Sequence, residues 1–165
     1  MTYAGNRRII DVDSHLFELD DFLSSVATEE EATFIQPMES QTELPVSLEA
    51  INRGREHLNR RNTDPEVMTK FEEDMFDIKR SPWSRLGAFD PAERSHTLDV
   101  LGFERQIVLG TFSFHQFAHE NDLKALEIGA RVYNRAMGRF CANDDRLLAG
   151  GYVPLSLGPD LAASL

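Results

Sequence analysis

The stretch that decides the fold lies near the amino terminus, where residues 7–18 read RRIIDVDSHLFE. Its β-branched residues form a run too short for a helix, so the stretch predicts a buried strand. Asp13 and His15 lie two residues apart near the end of that strand, and the alternation of side chains along a strand places both on one face. A carboxylate and an imidazole are suitable metal ligands. They predict half of a metal site, because a catalytic ion commonly takes about three protein ligands.

The composition is that of an ordinary globular protein of 165 residues, 41% hydrophobic and 27% charged, which fits one domain. A formal net charge of -11 argues against a nucleic-acid partner, because phosphate binding needs a basic patch. Cys141 is the single cysteine, so an intramolecular disulfide is excluded. The N-terminal region has no apolar stretch of signal-peptide or membrane-span length, and we expect a cytoplasmic location without membrane association.

The rest of the chain alternates helical and strand patterns, with Asp-Pro helix starts and apolar residues spaced by three and four. Strand, helix, strand in this order predicts a parallel sheet with right-handed crossovers. Helices are predicted over residues 18–27, 90–102 and 121–142 and from 159 onward, and strands over 105–109 and 147–153.

Residues 28–89 interrupt this alternation. Acidic residues, prolines and Gly54 break the apolar period, so we expect an irregular insertion with a helical turn around residues 48–60 and a helix over 64–79. A loop of this length inside a compact domain is usually functional or mobile. A solvated surface excursion and an active-site lid both remain open for it.

Several stretches resemble the amidohydrolase superfamily, in particular the amidohydrolase-related branch that includes aminocarboxymuconate-semialdehyde decarboxylase-like enzymes. The first barrel strand of that family ends in His-x-His, with Asp or Glu in place of the first His in many members, and residues 10–18 resemble such a variant. Residues 98–109 are similar to the helix and second strand that follow, and residues 133–142 and 146–155 to the third helix and strand.

The resemblance implies an α/β fold: the N-terminal portion, about three βα units, of a TIM-type (β/α)8 barrel. Residues 1–165 would form an incomplete barrel domain, truncated at its C-terminal end, with residues 28–89 as a long insertion after the first helix. The abrupt stop soon after the helix start at Pro159 agrees with this expectation.

The resemblance also implies a function, in which Asp13 and His15 correspond to the two first-strand metal ligands. The expected activity is that of a metal-dependent hydrolase or decarboxylase acting on a small carboxylated or amide substrate. Zn²⁺ is the first choice of ion, and Mn²⁺ or Mg²⁺ are alternatives, because an aspartate shifts the ligand set toward oxygen. The remaining ligands and the proton-shuttling acid would lie beyond Leu165, so the 165-residue chain alone is expected to be inactive.

Two alternatives remain open. Asp11 and Asp13 could be the nucleophile and acid of a haloacid-dehalogenase-type phosphatase, with Thr111 ending a second strand. Against this, His15 stands where that family has a small β-branched residue. A non-enzymatic protein or inactive truncated paralogue is the other alternative, and its open sheet edges would favour a homo-oligomer.

Two further residues are candidates for a substrate pocket. Glu18 follows the Asp13–His15 pair and would either contact the metal-bound water or cap the next helix. His115 lies after the predicted second strand, on the face where barrel active sites are found, and would either line the pocket or lie on the surface. His119, four residues further, suits a shared ligand site only if this segment is helical.

Overall fold

The centre of the fold is a parallel sheet, seen in a computed structural model that describes residues 2–37, 45–77, 79 and 86–165. Its strands are β1 (Ile10–His15), β2 (Arg105–Leu109) and β3 (Leu147–Ala149), paired in the order β1-β2-β3. Both pairings are parallel. The predicted mixed α/β class and parallel sheet are therefore confirmed, with a third strand shorter than predicted.

Two helices next to the sheet begin at capping aspartates. The Asp90 carboxylate accepts from the Glu93 amide, and the Asp122 carboxylate accepts from the amides of Lys124 and Ala125. Within the described residues the helices are α1 (Glu29–Ala32), α2 (Pro45–Thr63), α3 (Val67–Met75), α4 (Pro91–Leu101), α5 (His115–Ala118), α6 (Leu123–Cys141) and α7 (Pro159–Ala162), with 3-10 turns at Ser24–Val26 and Leu155–Leu157.

The core lies between the sheet and α6. The apolar stripe of α6 includes Val132 and Met137, which are fully buried in the same cluster as Val108 of β2, Leu147 of β3 and Leu98 of α4. Burial of each such side chain contributes roughly 1.5–3 kcal/mol, so this layer supplies much of the stability. The long amphipathic helix predicted over 121–142 is thus observed at almost the same bounds.

The opposite face of the sheet is open in the described part of the chain. Ile10 and Val12 of β1 are 52% and 63% exposed, and Leu148 of β3 is 40% exposed. The prediction of a buried strand at β1 is therefore wrong for this face, because helices cover only the other side of the sheet among the described residues.

A bulge interrupts β1 just before its carboxyl end. Asp11 pairs with Gln106 and Ser14 with Val108, so β1 has one residue more than β2 between these two pairs. The Asp11 carboxylate accepts from the Asp13 amide at 3.1 Å and so holds the bulge. Ser14 is consequently buried, while Asp13 and the following His15 remain on the exposed side.

The helix predicted over 18–27 is replaced by turns and the short 3-10 turn Ser24–Val26. Aspartate and serine side chains compete with the backbone for hydrogen bonds, which disfavours a helix. The Ser25 hydroxyl donates to the Phe22 carbonyl in this way. The predicted apolar spacing is still used, since Leu19 and Leu23 are buried.

The insertion is more regular than predicted. The helical turn expected around residues 48–60 is the long helix α2, and α3 begins at Val67 instead of residue 64. Gly54 does not break α2: a Cβ there would lie 2.5 Å from the Phe89 ring, so glycine permits close packing. The residues 38–44, 78 and 80–85 of the predicted insertion lie outside the described residues.

Candidate metal centre

Asp13 and His15 meet at the carboxyl end of β1. The Asp13 Oδ1 atom lies 3.3 Å from His15 Nε2, and their side chains are 82% and 46% exposed. The bulge in β1 leaves both side chains on the open side of the sheet. The structure therefore brings together the two residues predicted as metal ligands and leaves them accessible from solvent.

The other ring nitrogen of His15 is held by the segment that follows β2. His15 Nδ1 lies 3.1 Å from the Gly110 carbonyl oxygen and 3.2 Å from Thr111 Oγ1. A carbonyl only accepts, and the Thr111 hydroxyl gives its own proton to the Leu16 carbonyl at 2.6 Å. The proton of a neutral His15 ring therefore lies on Nδ1, and the Nε2 lone pair faces the Asp13 carboxylate.

This arrangement fits a divalent cation. A neutral imidazole nitrogen and a carboxylate oxygen both offer lone pairs and do not hydrogen-bond each other. A tetrahedral ion with bonds of about 2.1 Å holds two ligand atoms about 3.4 Å apart, close to the observed 3.3 Å. A backbone carbonyl bonded to the second ring nitrogen is also the usual outer partner of a metal-bound histidine.

The pair alone would supply only part of a metal site. Within the described ranges, no three His, Cys, Asp or Glu side chains are grouped so that they could hold an ion. Asp11 is not an additional free ligand, because its second carboxylate oxygen accepts from Gln106 Nε2 at 3.3 Å. In this structure Asp11 holds the bulge and contacts β2, and it does not form a free acidic pair with Asp13.

A buried arginine binds residues 14 and 15 of β1 from the covered face of the sheet. Arg94 of α4 donates to Ser14 Oγ at 2.5 Å and to the His15 carbonyl at 2.7 Å. Burial lowers the pKa of Arg94 to about 10, partly offset by the negative charge of Asp11. Arg94 therefore stays protonated at neutral pH. No sequence motif indicates this role for Arg94, and the only signal for it is a charged side chain on the inward face of α4.

Glu18 lies apart from the open face. It is 1% exposed, and its carboxylate accepts hydrogen bonds from the amides of Thr111, Phe112 and Ser113 at 3.0–3.1 Å. The expected cap on the next helix is not formed, because Glu18 binds the segment after β2 instead. Glu18 is thus connected to His15 by hydrogen bonds through a single residue, Thr111.

His115 is exposed at the start of the short helix α5. Its ring stacks on Phe114 with 4.2 Å between the ring centroids. His119, also exposed, is the residue that ends α5. A cavity of about 410 Å³ lies elsewhere, with Phe22, Pro91 and Phe140 among its lining residues.

The fold and site define an α/β protein with a carboxylate–imidazole pair at the carboxyl end of a parallel strand. No protein-family model, curated protein or solved structure matches the chain. None of the helices within the described residues combines the length and the apolar character needed to cross a membrane.

Proposed function

We propose that the chain is part of a metal-dependent hydrolase or decarboxylase of the amidohydrolase-related type. The observation that carries this proposal is the pairing of Asp13 Oδ1 with His15 Nε2, at 3.3 Å, while a backbone carbonyl holds His15 Nδ1. The pair stands at the carboxyl end of a parallel strand, where barrel enzymes place their catalytic groups.

The order of the sheet supports a barrel of the TIM type. In such a barrel each strand pairs in parallel with the next strand of the chain, as β1, β2 and β3 do here. The open face of the sheet carries Ile10, Val12 and Leu148. Branched apolar side chains of this kind fill barrel interiors, so on this proposal the open face is the interior side of the first three strands.

Asp13 and His15 would hold the ion, with Zn²⁺ as the first choice and Mn²⁺ or Mg²⁺ as alternatives. A bound ion supplies Lewis-acid polarisation of a carbonyl or carboxylate oxygen of a small substrate. Gly110 and Thr111 keep the His15 proton on Nδ1, which leaves Nε2 as a ligand. A catalytic site takes about three protein ligands, and the proposal assigns the remaining donors to later strands of the barrel.

Calorimetric titration with Zn²⁺ and with Mn²⁺ measures the affinity of the site for each ion and so tests the proposal. Asp13→Asn and His15→Ala should each weaken binding at least about tenfold, because each removes a direct ligand. His96→Ala is the matched control. His96 is also an exposed histidine beside a carboxylate, 2.6 Å from Glu72, but it lies on α4 away from β1. Binding that is equally tight in the wild type and both β1 variants would refute the metal site.

The same variants test the reaction. Hydrolysis of small amides and release of CO₂ from small carboxylates should both be measured, because the pair could serve either reaction. Both assays need the complete protein to which the proposal assigns the later strands, and there turnover should fall in Asp13→Asn and His15→Ala and persist in His96→Ala. Metal binding by that complete protein without turnover of either substrate class would instead favour the non-enzymatic alternative.

A further inference from the structure

We propose that Glu18 is a positioning residue of the metal centre. By binding the loop 110–113, its carboxylate fixes the His15 ring in the tautomer that leaves Nε2 free for a metal ion. The consequence for metal binding rests on the proposed function. The consequence for the His15 tautomer does not, so the two can fail separately.

Glu18 binds the loop 110–113 through its backbone amides. The Glu18 side chain is among the most deeply buried in the protein, and both of its carboxylate oxygens accept from backbone amides. Three successive amides, those of Thr111, Phe112 and Ser113, converge on it at 3.0–3.1 Å. Hydrogen bonds to an ionised acceptor are about twice as strong as neutral ones, so the carboxylate holds this loop firmly.

The loop in turn binds the His15 ring at Nδ1. Thr111 connects the two residues directly: its amide donates to Glu18, its hydroxyl donates to the Leu16 carbonyl, and its hydroxyl oxygen accepts from His15 Nδ1. The neighbouring Gly110 carbonyl is the second acceptor for Nδ1. The carboxylate, the loop and the imidazole thus form one continuous hydrogen-bonded path.

The backbone at Gly110 packs closely against Tyr133 and Glu18. A Cβ at Gly110 would lie 2.5 Å from the Tyr133 hydroxyl and 2.8 Å from Glu18 Oε1. The Gly110 amide also donates to that hydroxyl at 3.2 Å. Without the Glu18 carboxylate, the three loop amides lose their acceptor and the two acceptors for His15 Nδ1 are free to shift. The ring proton can then move to Nε2, which removes the lone pair that a metal needs.

The tautomer of His15 can be observed by ¹⁵N NMR of the histidine rings at mildly alkaline pH, without any metal. His15→Gln identifies the signals of His15 among those of the five histidines. The wild type should show the proton on Nδ1, and Glu18→Gln should convert His15 to a mixture that includes the Nε2–H form. Formate added to Glu18→Ala should restore the wild-type tautomer, because it replaces the missing carboxylate.

Glu93→Gln is the matched control for these measurements. Glu93 is also a buried carboxylate, 2% exposed, and accepts from a backbone amide, that of Gly87, at 3.2 Å, but none of its contacts involves the loop 110–113. Glu93→Gln should leave the His15 tautomer unchanged. Thr111→Val, which removes the hydroxyl and keeps the loop amide, should shift the tautomer even if the Glu18 variants fail to fold.

Zn²⁺ titration then connects the path to the metal centre. Glu18→Gln should weaken Zn²⁺ binding about tenfold, because it releases Gly110 and Thr111, the outer partners of His15, and Glu93→Gln should not. An Nε2–H tautomer in the wild type, or a tautomer unchanged in folded Glu18→Gln and in Thr111→Val, would overturn the role of Glu18. The expected tautomer shift without any Zn²⁺ binding by the wild type would uphold that role and refute the metal site.

Discussion

Two histidine–carboxylate pairs of nearly equal length occupy opposite environments in this protein. His15 Nε2 lies 3.3 Å from Asp13 with both side chains largely in solvent, whereas His57 Nε2 lies 3.4 Å from Glu93 with side chains only 4% and 1% exposed. The His57 ring also stacks on Phe71, with 4.2 Å between centroids. Separation alone therefore does not define the role of such a pair, and the surroundings decide it.

The buried pair connects helix α2 of the insertion to helix α4, which packs next to the sheet. His57 and Arg61 of α2 both contact the carboxylate of Glu93 on α4, and the Gly87 amide donates to it as well. These contacts satisfy a carboxylate that could not otherwise be buried. The open pair has no such enclosure, and contacts between exposed polar side chains contribute little to stability. The buried pair thus stabilises the fold, and the open pair is available to a ligand.

The largest expected difference between the pairs is in stability. Glu93→Ala leaves the Arg61 guanidinium and the buried His57 ring without their carboxylate partner and should lower the free energy of unfolding by about 3–5 kcal/mol. Asp13→Ala, at an exposed position, should change it by less than about 0.5 kcal/mol. Urea denaturation followed by circular dichroism measures both values. Equal losses in the two variants would show that the pairs do not differ in structural role.

A smaller effect is expected at the loop that supports the open pair. Gly110→Ala places a methyl group against Tyr133 and Glu18 and should destabilise the protein by about 1–3 kcal/mol. Gly138→Ala is its control: apart from the backbone of its own helix α6, nothing described lies within 4 Å of the new methyl group. That variant should gain roughly 0.5–1 kcal/mol from the better helix residue. Equal stability of Gly110→Ala and the wild type in urea would show that the loop can move.

Local patterns were sufficient to predict much of the fold. The strand predicted at 105–109 has the observed bounds of β2, and the Asp90 cap and the Gly102 end of α4 are those that the sequence indicates. These features depend on residues close in the chain. For α2 the sequence predicts only a helical turn around residues 48–60, because Pro45 and Gly54 break the apolar period. In the structure Pro45 is the first helical residue and Gly54 packs against Phe89, and the latter contact cannot be read from local sequence.

The candidate site also combines features that the local sequence predicts with contacts that it does not. The period of two along β1 predicted that Asp13 and His15 share a face, and the structure brings them together. The partners that orient His15 are Gly110 and Thr111, 95 and 96 residues away, so no local spacing indicates them. The contacts of Glu18 depend on the same parallel pairing of β1 with β2. The orientation of the candidate site is therefore a tertiary property, whereas the placement of Asp13 and His15 on one face of β1 is a local one.

The smallest expected effect is the pH dependence that the buried pair adds to stability. Burial alone would raise the pKa of Glu93, but the hydrogen bonds from His57 and the Gly87 amide and the charge of Arg61 outweigh it, and the pKa lies below its ordinary value of 4.5. A carboxyl with a lowered pKa in the folded state stabilises the protein above its ordinary pKa. This contribution is lost as the pH falls through the folded value.

Urea unfolding of the wild type between neutral pH and pH 3 should therefore show stability falling on the acid side, and Glu93→Gln should remove part of that slope. Asp144→Asn separates the windows. The hydrogen bond from Arg146 lowers the pKa of Asp144 from 3.8 to about 2, so its contribution is lost only in more acidic solution. If Glu93→Gln kept the wild-type slope and only Asp144→Asn changed it, Glu93 would not be the titrating group. The comparison of the two pairs would then rest on burial alone.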